Sequence, residues 1–225
     1  MMARSLGRLF AAAAFVVAPL SVQAQFTTYS TIASYEAAIL NRGLDTFDDL
    51  QDEQFYGPLQ RTAGNYGYKA SSTVGLFGLN TAGDGWLSTN LPNSTITFGY
   101  FTSGVRGVGF NLFATDDAGS TAACALMGVE VEVRYSDVNG AYMSKVFSNP
   151  TPNTFFGVVS RNGDMKKVEV RAYATRHGKG DPFVTVDDVR LGGGPVSTVP
   201  EPSTYALMAV GLAVMSAAAR RRRAQ

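Results

Sequence analysis

The sequence has few of the side chains on which most enzymes and metal sites depend. Among its 225 residues there is one cysteine, Cys124, and one histidine, His177. A single cysteine excludes an intrachain disulfide, and a single histidine excludes histidine-rich zinc sites. No serine stands in a Gly-x-Ser-x-Gly pattern, which argues against a serine-hydrolase nucleophile elbow. Stability must therefore come from the apolar core or from a bound metal.

Concentrated positive charge is also missing between the two ends of the chain. Six of the 19 basic residues lie in the terminal segments 4–8 and 220–223, which leaves 13 basic residues against 18 acidic ones. The part between the ends is therefore acidic, with a net charge of about −5. Because phosphate contacts require clustered Lys and Arg, this composition argues against nucleic acid as a partner.

The N-terminus has the pattern of a secretory signal. Arg4 and Arg8 precede the apolar run 9–20, and small residues stand where a signal peptidase would bind. We predict a signal peptide over residues 1–24, with cleavage after Ala24. A first transmembrane helix is the alternative, but the apolar run is short for a bilayer.

The C-terminus joins three unlike pieces. The first is extended, because proline has no N–H and pushes the preceding residue away from helix. Its residues are Val199, Pro200, Glu201 and Pro202. The apolar stretch 205–219 follows and predicts a transmembrane helix, since it has no polar face for water. Arginines at 220–223 would stay on the cytoplasmic side and place the rest of the chain outside. A surface helix with a basic tail is the alternative.

This C-terminus resembles the PEP-CTERM sorting signal of bacterial surface proteins, which is also catalogued as the ice-binding protein C-terminal domain. The resemblance covers residues 199–225. It implies recognition at Pro200, Glu201 and Pro202 by a membrane-embedded exosortase, with cleavage nearby. It also implies a precursor inserted in the inner membrane and delivery to the cell envelope, the surface or the exterior. The family typically occurs in bacteria that make exopolysaccharide.

Alternating apolar and polar residues predict strands between the two signals. Residues 129–135 alternate Val or Tyr with charged residues, and residues 168–172 repeat this pattern. Ile96, Phe98 and Tyr100 also alternate with small residues, which predicts a strand with these three residues on one face. Turn residues separate about nine such strands.

The expected fold is all-β, an antiparallel β-sandwich of jelly-roll type over residues 25–191. One short helix is predicted within 31–40, where Ile32, Tyr35 and Ile39 share a face. A Gly/Ser/Pro linker is expected at 192–198, before the C-terminal transmembrane helix. The arrangement is similar to the exported β-sandwich domains that often carry PEP-CTERM signals.

The last strand contains an irregularity beside two carboxylates. Val184 and Val186 have the opposite parity to Val189 and Leu191, so a one-residue slip between them predicts a β-bulge. First and last strands of a sandwich often pair, which would bring the acidic residues near each end of the domain together. We hypothesise a calcium ion there, because calcium binds hard oxygen ligands. The candidate ligands are Asp48, Asp49, Asp187 and Asp188. Solvated edge charges are the alternative.

The remaining hypothesis, carbohydrate binding, depends on the aromatic residues. Trp86 follows a glycine and is a candidate for stacking on a sugar ring, whereas packing beside Leu87 in the core is the alternative. Further aromatic residues are Tyr66, Tyr68, Tyr100 and Tyr142. The leading hypothesis is a non-catalytic carbohydrate-binding β-sandwich associated with exopolysaccharide or biofilm. Alternatives are a structural or adhesive matrix protein without a small ligand, and a polysaccharide hydrolase that uses two carboxylates.

Overall fold

The computed structural model describes residues 25–81, 83–121, 128–175, 181–194 and 207–212. One set of strands forms sheet A: β1 (Phe26–Tyr29), β2 (Leu40–Asp45), β3 (Glu53–Phe55), β6 (Leu76–Thr81), β7 (Asp84–Thr89), β9 (Gly107–Thr115), β12 (Phe155–Ser160) and β14 (Phe183–Gly193). The other set forms sheet B: β4 (Leu59–Ala63), β5 (Tyr66–Ser71), β8 (Thr95–Gly99), β10 (Val129–Asp137), β11 (Tyr142–Ser148) and β13 (Met165–Ala174).

Two antiparallel sheets confirm the β-sandwich prediction. Sheet A has the order β1-β12-β9-β14-β7-β6-β3, with β2 also paired to β14, and sheet B has the order β11-β10-β13-β8-β5-β4. The jelly-roll assignment stays a prediction. Valines of β10 and β13, including Val131 and Val170, are fully buried between the sheets together with Phe98 and Phe110. The alternation of each strand therefore places one face in the core and leaves the other as an outer face.

The short helix α1 (Ile32–Ala38) packs on the outer face of sheet A. Thr31 caps it, since its Oγ1 accepts a hydrogen bond from the Ser34 N–H at 3.3 Å. Tyr35 is fully buried and its hydroxyl donates to the Arg190 carbonyl at 3.0 Å. Glycines of sheet A make room for the helix: a Cβ at Gly157 would lie 2.6 Å from Tyr35 Cδ2. The predicted helix is thus confirmed, and it covers part of one outer face.

Strand β14 contains the β-bulge that the parity of its valines predicts. Its register with β9 shifts between Asp187 and Arg190, and Asp188 has a φ of 57°. The slip lets Val186 and Val189 both point into the core, where neither is exposed. The C-terminal half of β14 pairs with β2, so an early strand and the last strand are neighbours, as expected.

Two expectations need correction. Strand β8 ends at Gly99, and Tyr100 adopts a φ of 52°, which turns its ring outward until 83% of the residue is exposed. Tyr100 therefore does not share the core-facing side of Ile96 and Phe98, and the predicted strand ends one residue early. Strand β14 also continues to Gly193, because Gly192 accepts a hydrogen bond from the Arg106 N–H at 2.9 Å. The first residues of the predicted linker 192–198 therefore belong to the sheet.

Several predictions lie wholly or partly outside the described residues. They are the signal peptide 1–24 with its cleavage site at Ala24, residues 195–198 of the linker, and the sorting motif Val199, Pro200, Glu201 and Pro202. Of the predicted transmembrane stretch 205–219, the structure describes only residues 207–212, which are helical. Within the described part of the chain, no helix has the length and apolar character needed to cross a membrane.

Candidate ligand-binding groove

Three adjoining cavities form a groove on the outer face of sheet B. The first, of about 560 Å³, shares Lys69 and Tyr100 with the second, of about 420 Å³. The second shares Ser71 and Thr97 with the third, of about 370 Å³. We call this continuous depression the sheet-B groove. Its second and third cavities lie on the side of β5, β8 and β13 that faces away from the core, whereas the first also reaches the core-facing side chains of Arg61 and Tyr68 at the β4 edge.

Gly99 forms the floor of the central cavity. It pairs with Lys69 of β5 on one side and with Lys167 of β13 on the other, and the two lysines lie on the same outer face. A Cβ at Gly99 would meet only the Lys166 carbonyl oxygen, at 3.6 Å, which is an ordinary contact. Packing against protein therefore does not require glycine here, and the absent side chain leaves space above the sheet.

Tyr100 forms the wall between the first two cavities. Its ring is exposed, and the Lys69 ammonium nitrogen lies 5.0 Å from the ring centroid. Of the six described non-glycine residues with positive φ, four are Asn or Asp, which tolerate this conformation. Phe47 is another, and its ring is fully buried in the core. Tyr100 thus has an unfavourable backbone conformation without compensating core burial, which is typical of functional positions.

An ion-pair network forms the far end of the first cavity. The Arg61 guanidinium donates to Asp45 Oδ2 at 2.9 Å and to Asp49 Oδ2 at 2.7 Å, and the Tyr68 hydroxyl donates to Asp45 at 2.6 Å. Burial lowers the pKa of Arg61, but the hydrogen bonds to Asp49 and Asp45 outweigh it and raise that pKa overall. The hydrogen bond from Arg61 in turn lowers the pKa of Asp49. Two carboxylates therefore surround the one guanidinium, and the positive charge of Arg61 is fully offset at this end of the groove.

The opposite end is polar and carries one carboxylate. The third cavity is lined by hydroxyl side chains of β5, of the loop that follows β5, and of β8, together with Glu169. Lys167 donates to Glu169 Oε1 at 2.9 Å, and both side chains are partly exposed. Hydroxyls, one carboxylate and one ammonium can hydrogen-bond a hydroxyl-rich ligand along this part of the groove.

The four predicted calcium ligands do not converge as a set. Asp49 is bound by Arg61, and Asp188 Oδ2 accepts from Arg190 at 3.0 Å. Asp48 accepts from the Gly85 N–H at 3.2 Å. Burial, and then the charges of Asp188, Asp84 and Asp48, raise the pKa of Asp187 to about 7.

Among the residues that the structure describes, no group of three or more His, Cys, Asp or Glu side chains is arranged to hold a metal ion. The calcium assignment stays a prediction.

The predicted stacking residue Trp86 lies on the other sheet, away from the groove. It is half-buried, its ring meets Phe113 edge-to-face at 5.0 Å, and its Nε1–H donates to Asp84 at 3.1 Å. Its role in ligand stacking stays a prediction. Of the four tyrosines considered, Tyr68 is buried and Tyr66 is half-buried, while Tyr100 and Tyr142 are exposed. Only Tyr68 and Tyr100 line the sheet-B groove.

Sequence reasoning missed the lysines and the glycine that shape the groove. Lys69, Gly99 and Lys167 are far apart in the chain and meet only through strand pairing. A usable signal was present at Tyr100, because it follows a glycine at the end of an alternating run and precedes Phe101. Two adjacent aromatic residues cannot both point into the core from one regular strand.

Comparison with known proteins identifies the C-terminus. Residues 198–223 match the family model described as the PEP-CTERM protein-sorting motif. The chain therefore carries this sorting motif, and the resemblance found in the sequence is confirmed. The motif implies recognition by an exosortase and export to the cell surface or the exterior. No curated protein matches the chain.

Two solved structures are similar to the β-sandwich. TmCBM61 in complex with beta-1,4-galactotriose has 14% sequence identity and a TM-score of 0.35, covering 56% of this chain and 88% of that chain. A mutant of CBM29-2, a family 29 carbohydrate-binding module, has 7% identity and a TM-score of 0.35, covering 73% of this chain and 95% of that chain.

Proposed function

We propose that this protein is a non-catalytic carbohydrate-binding β-sandwich that acts at the cell surface or in an extracellular polysaccharide matrix. The observation that carries the proposal is Tyr100, an exposed aromatic ring held at a positive φ between two cavities of the sheet-B groove. An exposed aromatic ring presents a flat apolar surface to the C–H face of a sugar ring. Hydroxyl-bearing residues along the groove, including Thr97 and Ser71, supply hydrogen-bonding groups beside it.

The binding test compares two exposed tyrosines. Tyr100→Ala keeps a Cβ and hence the same backbone preference, so it removes the ring without adding strain. We expect its affinity for a bound polysaccharide to fall about tenfold or more, because truncating an aromatic anchor costs about 2 kcal/mol. Tyr56→Ala is the matched control, since Tyr56 is 80% exposed but does not line the groove. A glycan array identifies the ligand, and affinity electrophoresis measures the loss.

Two results would contradict this proposal. Correctly folded protein that binds no glycan on the array would remove its basis. Equal affinity of wild type and Tyr100→Ala would place sugar binding elsewhere on the molecule.

The proposed route to the cell surface includes a precursor inserted in the inner membrane. The stretch 205–219 would span the membrane, and an exosortase would act near Pro200, Glu201 and Pro202. Intact mass from the native host, with and without the exosortase, tests this step. Shortening at the C-terminus only when the enzyme is present supports it, and an intact C-terminus in both strains contradicts it.

A further inference from the structure

The central cavity of the sheet-B groove is locally positive in an acidic protein. Three of the residues that line it are Lys69, Lys166 and Lys167, and among the described lining residues none is Asp or Glu. Positive charge elsewhere in the groove is offset, since Arg61 is bound by two carboxylates. The net charge of about −5 between the terminal signals makes this cavity an exception to the surrounding electrostatics.

The sheet register fixes how the lysines are arranged. Lys69 and Lys167 are the partners of Gly99 on its two sides, so two strand spacings separate their Cα atoms, which amounts to about 10 Å. Long, flexible lysine side chains reach a common anionic group from such positions. The glycine between them leaves that space free of protein side chain.

The present partners of these lysines are exchangeable. Lys167 pairs with Glu169 at 2.9 Å, but the side chains are 44% and 26% exposed, and exposed ion pairs contribute little. Lys69 lies over the Tyr100 ring, which offers a weaker interaction than a full negative charge. An anionic ligand can therefore replace both interactions at a small cost.

We propose that the groove binds a polysaccharide whose sugars carry negatively charged groups, with the anion between Lys69 and Lys167. This inference rests on the proposed function. The apolar lining suits the remainder of a sugar ring, because Phe101, Met165 and the 57%-exposed Val138 adjoin the lysines. The charge complementarity is confined to one cavity, whereas nucleic acid binding requires an extended series of phosphate contacts.

The test uses the full chain in a nonionic detergent, with affinity electrophoresis on four polymers. Polygalacturonate carries carboxylates, dextran sulfate carries sulfates, dextran is neutral, and double-stranded DNA carries phosphates. We expect at least one anionic polysaccharide to bind roughly tenfold or more tightly than dextran, because charge-assisted hydrogen bonds are about twice as strong as neutral ones. Comparing the carboxylated and sulfated polymers identifies the anion. Raising salt from about 50 to about 300 mM should reduce the preference through screening.

The decisive variant is the pair Lys69→Gln and Lys167→Gln, with an unchanged thermal midpoint as the folding control. We expect it to lose the preference for anionic polysaccharide, while Arg42→Gln keeps it. Arg42→Gln is the control for loss of a positive charge outside the groove, because the Arg42 side chain is 58% exposed on sheet A.

Several outcomes would overturn the inference. Equal binding of dextran and the anionic polysaccharides, still dependent on Tyr100, would reject the anionic ligand and leave the proposed function intact. A preference that survives the double variant, or DNA bound as tightly as the polysaccharides, would also reject it. Binding to none of these polysaccharides would reject the anionic ligand, and the absence of any binder on the glycan array as well would reject both proposals.

Discussion

The two outer faces of the sandwich both contain glycines, but these glycines have different surroundings. On sheet A, a Cβ at Gly157 would lie 2.6 Å from the buried ring of Tyr35, because helix α1 fills the space above the sheet. On sheet B, a Cβ at Gly99 would meet only a carbonyl oxygen, at 3.6 Å. The first glycine serves packing within the protein. The second leaves a floor that the described chain does not fill, and this is why we assign it to a ligand.

The largest effect on stability is expected from truncating Tyr35, the side chain that fills the space between α1 and sheet A. We expect Tyr35→Ala to lower the free energy of unfolding by about 3 to 5 kcal/mol, because it leaves a cavity between α1 and sheet A. Urea denaturation measures this change. Tyr35→Phe is the matched control, and it should cost only about 1 kcal/mol through loss of the hydrogen bond to Arg190. A loss below about 1 kcal/mol for Tyr35→Ala would mean that the helix does not depend on the ring.

Replacing each of the two glycines, Gly157 and Gly99, by alanine tests the difference between the two faces directly. Gly157→Ala should lower the free energy of unfolding by about 1 to 3 kcal/mol, because the new methyl group overlaps the Tyr35 ring. Gly99→Ala should leave it unchanged or raise it by up to about 0.5 to 1 kcal/mol, since alanine restricts the unfolded chain. The same change should weaken glycan binding by raising the floor of the groove. Equal destabilisation by both substitutions would remove the distinction between the two faces.

A smaller effect on stability is expected from the ionisation of Asp187, which lies on the part of sheet A beyond α1. Burial and the nearby charges of Asp188, Asp84 and Asp48 raise its pKa to about 7, above the unfolded value of about 3.9. The folded protein therefore holds a proton that the unfolded chain releases. The stability contributed by this proton is complete below about pH 4 and is lost as pH rises through about 7.

Asp187→Asn tests this assignment, because asparagine cannot ionise. Its stability relative to wild type should increase between about pH 4 and about pH 7 and stay constant above, as judged by urea denaturation across that range. Taking the difference between the two proteins cancels the titration of other carboxylates. A difference that does not depend on pH would contradict the raised pKa.

The local sequence was sufficient where the chemistry is contained within one segment. Alternation over residues 129–135 predicted which side of β10 is buried, because side chains of a strand point to opposite faces in turn. The opposed parity of Val186 and Val189 predicted the bulge, since both must reach one core. The PEP-CTERM motif was equally recognisable, because its extended, apolar and basic pieces are contiguous.

The groove could not be predicted in this way, because it depends on pairing between distant segments. Lys69, Gly99 and Lys167 are brought together by the register of three strands, and each looks like an ordinary strand residue in its own segment. The exposure of Tyr100 could not be predicted from alternation, because alternation assumes that a strand continues, whereas β8 ends at Gly99 and the chain turns through a positive φ. Periodicity thus determined which residues face the core. Strand register and one backbone turn determined which outward residues form a site, since contacts between distant segments leave no local pattern.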